Sequence, residues 1–227
     1  MPVALVTGTS RGLGLEFVRQ YAADGWRVHA TCRDPDSAPG LAEIPGEVTI
    51  HRLDVDDADE VTALADSLAG EALDLLLNNA GVYGPKSLAF GGIDYDIWLD
   101  VLRTNTLAPL RMAECFVEHV ARGERRRIVS VSSKVGSIAE NTSGAGYIYR
   151  SSKAALNMAM ASLAIDLAPR GIACCVLHPG WVRTDMGGPG GLIDPPESVA
   201  GMRRVIDGLD AASSGGFFNY DGEPIPW

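Results

Sequence analysis

Short apolar runs alternate with helix-period segments from one end of the chain to the other, and this alternation restricts the fold more than any other feature. Val3–Thr7 is almost wholly apolar and runs into glycines, as a strand buried on both faces of a parallel sheet does. A helical period follows through Leu13, Phe17, Val18 and Tyr21, and Gly25 closes it. Further strands are expected at 28–32, 48–53, 73–78, 127–132, 172–177 and 216–220. Helices are expected at 58–68, 95–122, 149–167 and 199–209. Strands joined through helices need right-handed crossovers. The expected fold is therefore α/β: a single domain over 1–227, with a doubly wound parallel sheet of about seven strands and helices on both faces.

Apolar residues make up 46% of the 227 residues and charged residues 21%, which suits one large core. The formal net charge of −10 repels phosphate backbones and anionic lipid, arguing against nucleic acid and membrane surfaces as partners. No apolar run approaches the length of a membrane span, and the opening Met1-Pro2-Val3-Ala4-Leu5-Val6 reads as a first strand, not a signal peptide. Cys32, Cys115, Cys174 and Cys175 lack zinc spacing and read as core residues in a reducing cytoplasm. His29, His51, His119 and His178 form no ligand pattern, so no metal is expected and no chemistry is assigned to them.

The first strand leads into Thr7-Gly8-Thr9-Ser10-Arg11-Gly12-Leu13-Gly14. Glycines suit a sharp turn and a close approach of backbone to ligand. The helix that starts there points free N–H groups at a pyrophosphate. The spacing is Gly-x-x-x-Gly-x-Gly, which differs from the Gly-x-Gly-x-x-Gly dinucleotide fingerprint, so its place between strand and helix carries the reading. At the end of the second strand an acid favours NAD and an arginine favours the 2′-phosphate of NADP. Cys32 falls at that position and Arg33 follows, with Arg11 able to approach the same phosphate. Asp34 stands beside Arg33 and competes with it. The reading is NADP(H), with NAD(H) the alternative; the plainer account of Arg11 and Arg33 is solvated surface charge.

Tyr149 lies four residues before Lys153 in an alanine-rich helical stretch, so phenol and ammonium share a face. A free phenol titrates near pH 10, and a nearby cation lowers that value. A drop of about three units corresponds to roughly 4 kcal/mol. Such a phenol exchanges a proton with a carbonyl or alcohol oxygen. Tyr147 has no lysine four residues on, and the chain has three lysines in all: Lys86, Lys134 and Lys153.

With these residues in view, the sequence resembles the short-chain dehydrogenase/reductases, a family of Rossmann-type enzymes. The resemblance covers nearly the whole chain. It rests on the glycine turn, Asp54-Val55, Asn78-Asn79-Ala80-Gly81, Asn105, Ser132-Ser133, Tyr149 with Lys153, and Pro179-Gly180-Trp181-Val182-Arg183-Thr184, all in the family's order. It implies a general acid/base role for Tyr149. Lys153 is implied to modulate its pKa and hold the nicotinamide ribose, Ser133 to steady the substrate oxygen, and Asn105 to anchor a water leading to the lysine. Ser133 is chosen over Ser132 because Lys134-Val135-Gly136 follows it. Asp54 and Val55 are implied to border the adenine, Asn79, Ala80 and Gly81 to line the cofactor trough, and Pro179, Gly180, Val182 and Thr184 to hold the nicotinamide side. Asn78 reads as structural, whereas strand-end capping by Asn79 and helix capping by Ser133 compete poorly with the complete set. Cofactor binding is expected in about 1–130 and catalysis and substrate binding in about 131–227.

The stretch 178–188 and the tail 213–227 resemble the C-factor and sniffer-like carbonyl reductases. This implies reduction of a ketone, aldehyde or quinone-like carbonyl. The alternatives are a dinucleotide-binding signalling protein and an NAD-linked alcohol dehydrogenase. Family members are often homodimers or homotetramers. The pocket is expected to take its shape from 137–147 and 186–193, with Glu140–Gly146 as a rim insertion, Gly187–Gly191 as a lid or wall, and Trp181 and Trp227 as further walls.

Overall fold

The apolar runs form seven strands in the computed structural model, which describes residues 1–85 and 90–227. They are β1 (Val3–Thr7), β2 (Arg27–Cys32), β3 (Val48–Arg52), β4 (Leu75–Asn78), β5 (Arg127–Val131), β6 (Ala173–His178) and β7 (Gly216–Asn219). Lys86 lies outside the described residues. The strands make one parallel sheet in the order β3-β2-β1-β4-β5-β6-β7. The chain thus winds outward from β1 to one edge, then returns to the other side of β1 through β4. The crevice where the order reverses is the place for a ligand in such a sheet.

Side-chain alternation along β1 builds a core on each face. Ala4 and Val6 pack with α1 (Gly12–Ala23), the short α2 (Pro39–Ala42) and α7 (Pro195–Gly208). Val3 and Leu5 pack with α3 (Ala58–Ser67), α5 (Ala108–Arg122) and α6 (Tyr147–Leu167). Strands β1, β4 and β6 are buried over nearly their whole length, so the same run must be apolar on both sides. Asp57 caps α3 by accepting from the Asp59 and Glu60 N–H groups. Among the described residues no helix is long and apolar enough to cross a membrane.

The boundaries differ from expectation in instructive places. The helical region expected over 95–122 is divided into α4 (Tyr95–Leu102), a π-helical turn at Arg103–Leu107, and α5. Pro109 supplies the reason: it has no N–H to offer the Asn105 carbonyl, and its ring crowds that carbonyl, so the helix widens there. The helix expected from 149 begins at Tyr147, after Gly146 takes a left-handed φ of 60°. Its counterpart expected from 199 begins at Pro195, where a missing N–H costs nothing. A 3₁₀ turn at Pro35–Ser37 and α2 fill the β2–β3 connection, where no element was expected. Past β7 the tail folds back, with Asn219 N–H donating to Glu223 and Ile225 N–H to Phe217, which covers the sheet edge.

Asp74, just before β4, fastens the central strands together. Its buried carboxylate accepts from Val3 N at 2.9 Å and from Glu124 N and Arg125 N, both at 3.0 Å. Asp74→Ala leaves these donors without partners and is expected to lower unfolding free energy by about 3–5 kcal/mol. Urea denaturation checks this; a loss under about 1 kcal/mol would show that the bonds are dispensable.

Candidate active site

The ends of β1 and β4 are joined by side chains. Thr7 Oγ1 accepts from Asn79 N and Ala80 N, both at 3.0 Å, and Asn79 Nδ2 donates to Thr7 O at 2.9 Å and Gly8 O at 3.0 Å. This leaves no room in the turn. A Cβ on Gly14 would stand 2.1 Å from Gly8 O, and Gly8 itself sits at a φ of 69°, which favours glycine. Arg11, the residue that opens α1, makes no side-chain cap, so the first N–H groups of the helix are left for a ligand.

They border a cavity of about 480 Å³. Its walls carry Gly8, Ser10, Arg11, Gly12, Leu13, Gly14, Arg33, Asp54, Val55, Asn79, Ala80, Gly81 and Thr184, all expected from sequence. Pro179, Gly180 and Val182 line a neighbouring cavity instead, of about 610 Å³, which shares Leu13, Thr184 and Met186 with the first. Asp34 does not take up Arg33: its carboxylate accepts from Ser37 Oγ at 2.5 Å. Arg33 has no ion pair among the described residues, whereas Arg11 reaches Asp185 at 2.8 Å. Thr104 and Asp56 also reach the first cavity, joined at 2.5 Å, and were not anticipated.

Tyr149 and Ser133 line the second cavity. Tyr149 occupies the first turn of α6, and its ring stacks on Tyr83 with centroids 4.3 Å apart. Burial pushes its phenol well above the ordinary value. The Tyr83 phenol adds to the rise, while a hydrogen bond with Ser133 works against it. Lys153 is buried behind it, with Nζ 5.8 Å from the Tyr149 ring centroid and 2.9 Å from Val131 O, to which it donates. Burial brings its pKa down to about 8. The expected lowering of the phenol by the ammonium is therefore outweighed: the ammonium is turned to a strand-end carbonyl, and desolvation favours the neutral form of both groups.

Ser132 and Ser133 take different partners. Ser132 donates to Asn157 Oδ1 at 2.6 Å inside the protein. Ser133 caps the turn Lys134–Gly136 through Val135 N at 3.4 Å, so capping and access to Tyr149 coexist. Asn105, in the π-helical turn, is fully buried. Its amide accepts from Val82 N at 2.8 Å and donates to Val82 O at 2.8 Å and Ser152 Oγ at 3.0 Å. It thus braces the segment after Gly81 against α6. Asn78 is likewise internal, donating to Pro109 O and Ser130 Oγ.

The second cavity corrects other expectations. From 137–147 only Glu140 lines it, and from 186–193 only Met186 and Gly187 do. Trp181 is a wall, tied by its Nε1 to Gly187 O at 2.8 Å. Trp227 is not; it stacks on Phe217 at 5.5 Å, and its backbone oxygen accepts from Ile138 N and Ala139 N. Tyr83 and His178 also line the cavity and were missed. Their only signals were position: Tyr83 follows Asn79-Ala80-Gly81 by two residues, and His178 immediately precedes Pro179-Gly180. Cys32, Cys174 and Cys175 are buried and Cys115 half-buried, none in a disulfide. Among the described residues no cluster of side chains is arranged to hold a metal ion.

The family described as short chain dehydrogenase matches residues 2–190. C-signal of Myxococcus xanthus is 47% identical over 165 residues, covering 73% of this chain and 99% of that protein. Among solved structures, the carbonyl reductase Sniffer of D. melanogaster superposes with a TM-score of 0.93 at 36% identity, covering all of both chains. The NADPH-bound carbonyl reductase from chicken fatty liver does so with a TM-score of 0.91 at 35% identity, again covering all of both chains.

Burial, reinforced by the Lys134 charge, holds the His178 pKa down at about 4. Its imidazole is therefore expected to stay neutral above about pH 5, read by NMR titration of the ring carbons. The unfolded chain takes up that proton near pH 6.5. The native state is disfavoured relative to it as pH falls from about 6.5 toward 4, so His178 should contribute a loss of stability in that window. An inflection at pH 6 or above in the native protein would contradict this environment.

Proposed function

The chain belongs to the short-chain dehydrogenase family, and on that footing we propose that it is an NADP(H)-dependent carbonyl reductase. The observation that carries the proposal is Tyr149: a phenol held in its protonated form by burial, on the wall of a largely apolar cavity that adjoins a glycine-lined one. A proton donor that resists ionisation suits reduction, in which the carbonyl oxygen gains a proton.

The first cavity fits a dinucleotide phosphate. The uncapped start of α1 meets the pyrophosphate, the close-packed glycines admit its backbone, and Asp54 and Val55 border the adenine. Cys32 and Arg33 line the cavity at the end of β2 and Asp34 does not, its carboxylate accepting from Ser37 instead, which favours the 2′-phosphate. The NADPH-bound chicken carbonyl reductase supports the same cofactor. When bound, NADPH supplies the hydride for the carbonyl carbon.

This chain's residues supply the rest. Ser133 holds the carbonyl oxygen beside Tyr149, and Tyr149 gives it the proton. Lys153 holds the nicotinamide ribose, and its ammonium stabilises the phenolate left once Tyr149 has given up its proton. Asn105 keeps Val82 and Ser152 in register, and with them the segment that bears Tyr83 and the helix that bears Tyr149. Pro179, Gly180, Val182 and Thr184 bound the nicotinamide side. The division near residue 130 is crossed in both directions: Arg183, Thr184, Asp185, Met186 and Pro195 reach the first cavity, and Leu13 and Tyr83 the second. The likeness to C-signal favours a second reading, a dinucleotide-binding signalling protein; the four residues Asn105, Ser133, Tyr149 and Lys153 favour turnover, because binding alone does not require them all.

NADPH oxidation followed by absorbance, with a panel of aldehydes, ketones and quinones, is expected to fall about 10²–10⁴-fold in Tyr149→Phe. Equal rates in the two proteins would remove Tyr149 from the chemistry. Arg33→Asp is expected to weaken NADPH binding about 10–100-fold more than NADH binding, measured by fluorescence titration. Equal losses would place the 2′-phosphate elsewhere.

A further inference from the structure

The cavity in front of Tyr149 is walled mainly by apolar and aromatic side chains, yet among the described residues two cations stand on it, Lys134 and Arg150. Glu140, also on the wall, takes up the first at 3.1 Å. Arg150 has no carboxylate within ion-pair distance among the described residues. Its guanidinium reaches two neutral oxygens, Ser143 Oγ at 2.8 Å and Val135 O at 3.4 Å. A guanidinium carries five N–H donors, so most of its capacity is unused. Four arginines line the two cavities. Arg11 and Arg183 pair with Asp185 and Asp194, whereas among the described residues Arg33 and Arg150 pair with no acid. Arg33 stands where a phosphate is expected. Arg150 stands one residue from the proton donor, in the other cavity.

We propose that Arg150 anchors an anionic group of the substrate, so that the pocket takes carbonyl compounds with an apolar body and a carboxylate remote from the reacting carbon. The inference rests on the carbonyl-reductase reading and adds the substrate class. The guanidinium fork matches a carboxylate in two parallel hydrogen bonds. The chain's net charge of −10 opposes anions in general, so an anionic substrate needs a local cation that the protein has not already neutralised. The Lys134–Glu140 pair leaves Arg150 as that cation. Its stem is held over Gly146, where a Cβ would stand 3.4 Å from the Arg150 Nε, so the guanidinium is positioned before a ligand arrives.

The test pairs 3- and 4-carboxybenzaldehyde with their methyl esters, each reduced with NADPH by the full chain and by Arg150→Gln and Arg150→Lys. The expected loss of kcat/KM in Arg150→Gln is about 10–100-fold larger for the acids than for the esters, carried by KM, with part of it restored in Arg150→Lys. Added salt should raise KM for the acids alone. Equal losses for acid and ester, or none, would overturn the anchor. Binding of 3- and 4-(hydroxymethyl)benzoate, read by quenching of tryptophan fluorescence with Trp181 on the cavity wall, separates this proposal from the one it rests on. Binding that weakens in Arg150→Gln, in a wild type that reduces nothing, would sink the reductase reading and keep the anchor. Binding that is absent, or indifferent to Arg150→Gln, would sink the anchor.

Discussion

Two parallel strands, β1 and β4, end side by side, and the contact between their ends sets the rest of the molecule. The Thr7 hydroxyl accepts two N–H groups from the β4 end, and the Asn79 amide returns two hydrogen bonds to the β1 end. The turn that follows β1 is pressed so close that side chains at Gly8 and Gly14 have no space. That closeness is what aims the first turn of α1 outward with its N–H groups unfilled. Because the strand order reverses at this junction, the helices on either side diverge and a crevice opens between them. The uncapped helix start and the crevice are consequences of one packing constraint.

Desolvation organises the second half of the site. Tyr149 and Lys153 are both buried, and burial shifts them in opposite directions: the phenol upward and the ammonium down to about 8. Each is pushed toward its neutral form, because a low-dielectric interior penalises either charge. Tyr83 on one side and Val131 on the other fix their orientations. The histidine on the same cavity is held neutral for the same reason. Among the described residues the wall is therefore nearly free of charge except at Lys134, Glu140 and Arg150, which gives a single uncompensated cation more influence than it would have in water.

Much of this was legible in residue order. Parallel strands are recognisable because burial on both faces forces continuous apolar runs, and helices because one face must keep a 3.6-residue period. The glycine turn and the Tyr149–Lys153 spacing were readable because each depends on neighbours within a few positions. The break in the 95–122 region carried a signal too, in Pro109, but its consequence depended on how the surrounding chain satisfied the freed carbonyl. The short α2 carried almost none, since four residues show no period.

Sequence by itself determined the sheet, the helices on its two faces, the glycine turn after β1 and the spacing that sets Tyr149 and Lys153 on one helix, because local backbone preference and short-range spacing are enough to specify them. Tertiary structure decided which groups share a wall. Tyr83 meets Tyr149, His178 shares a cavity with Ser133, Trp227 turns away to Phe217, Arg11 finds Asp185 and Arg150, among the described residues, finds no acid. These are meetings of residues up to 174 positions apart. They depend on how strands are ordered across the sheet and how loops pack at their ends, and no local pattern encodes the distance between two side chains that only the folded chain brings together.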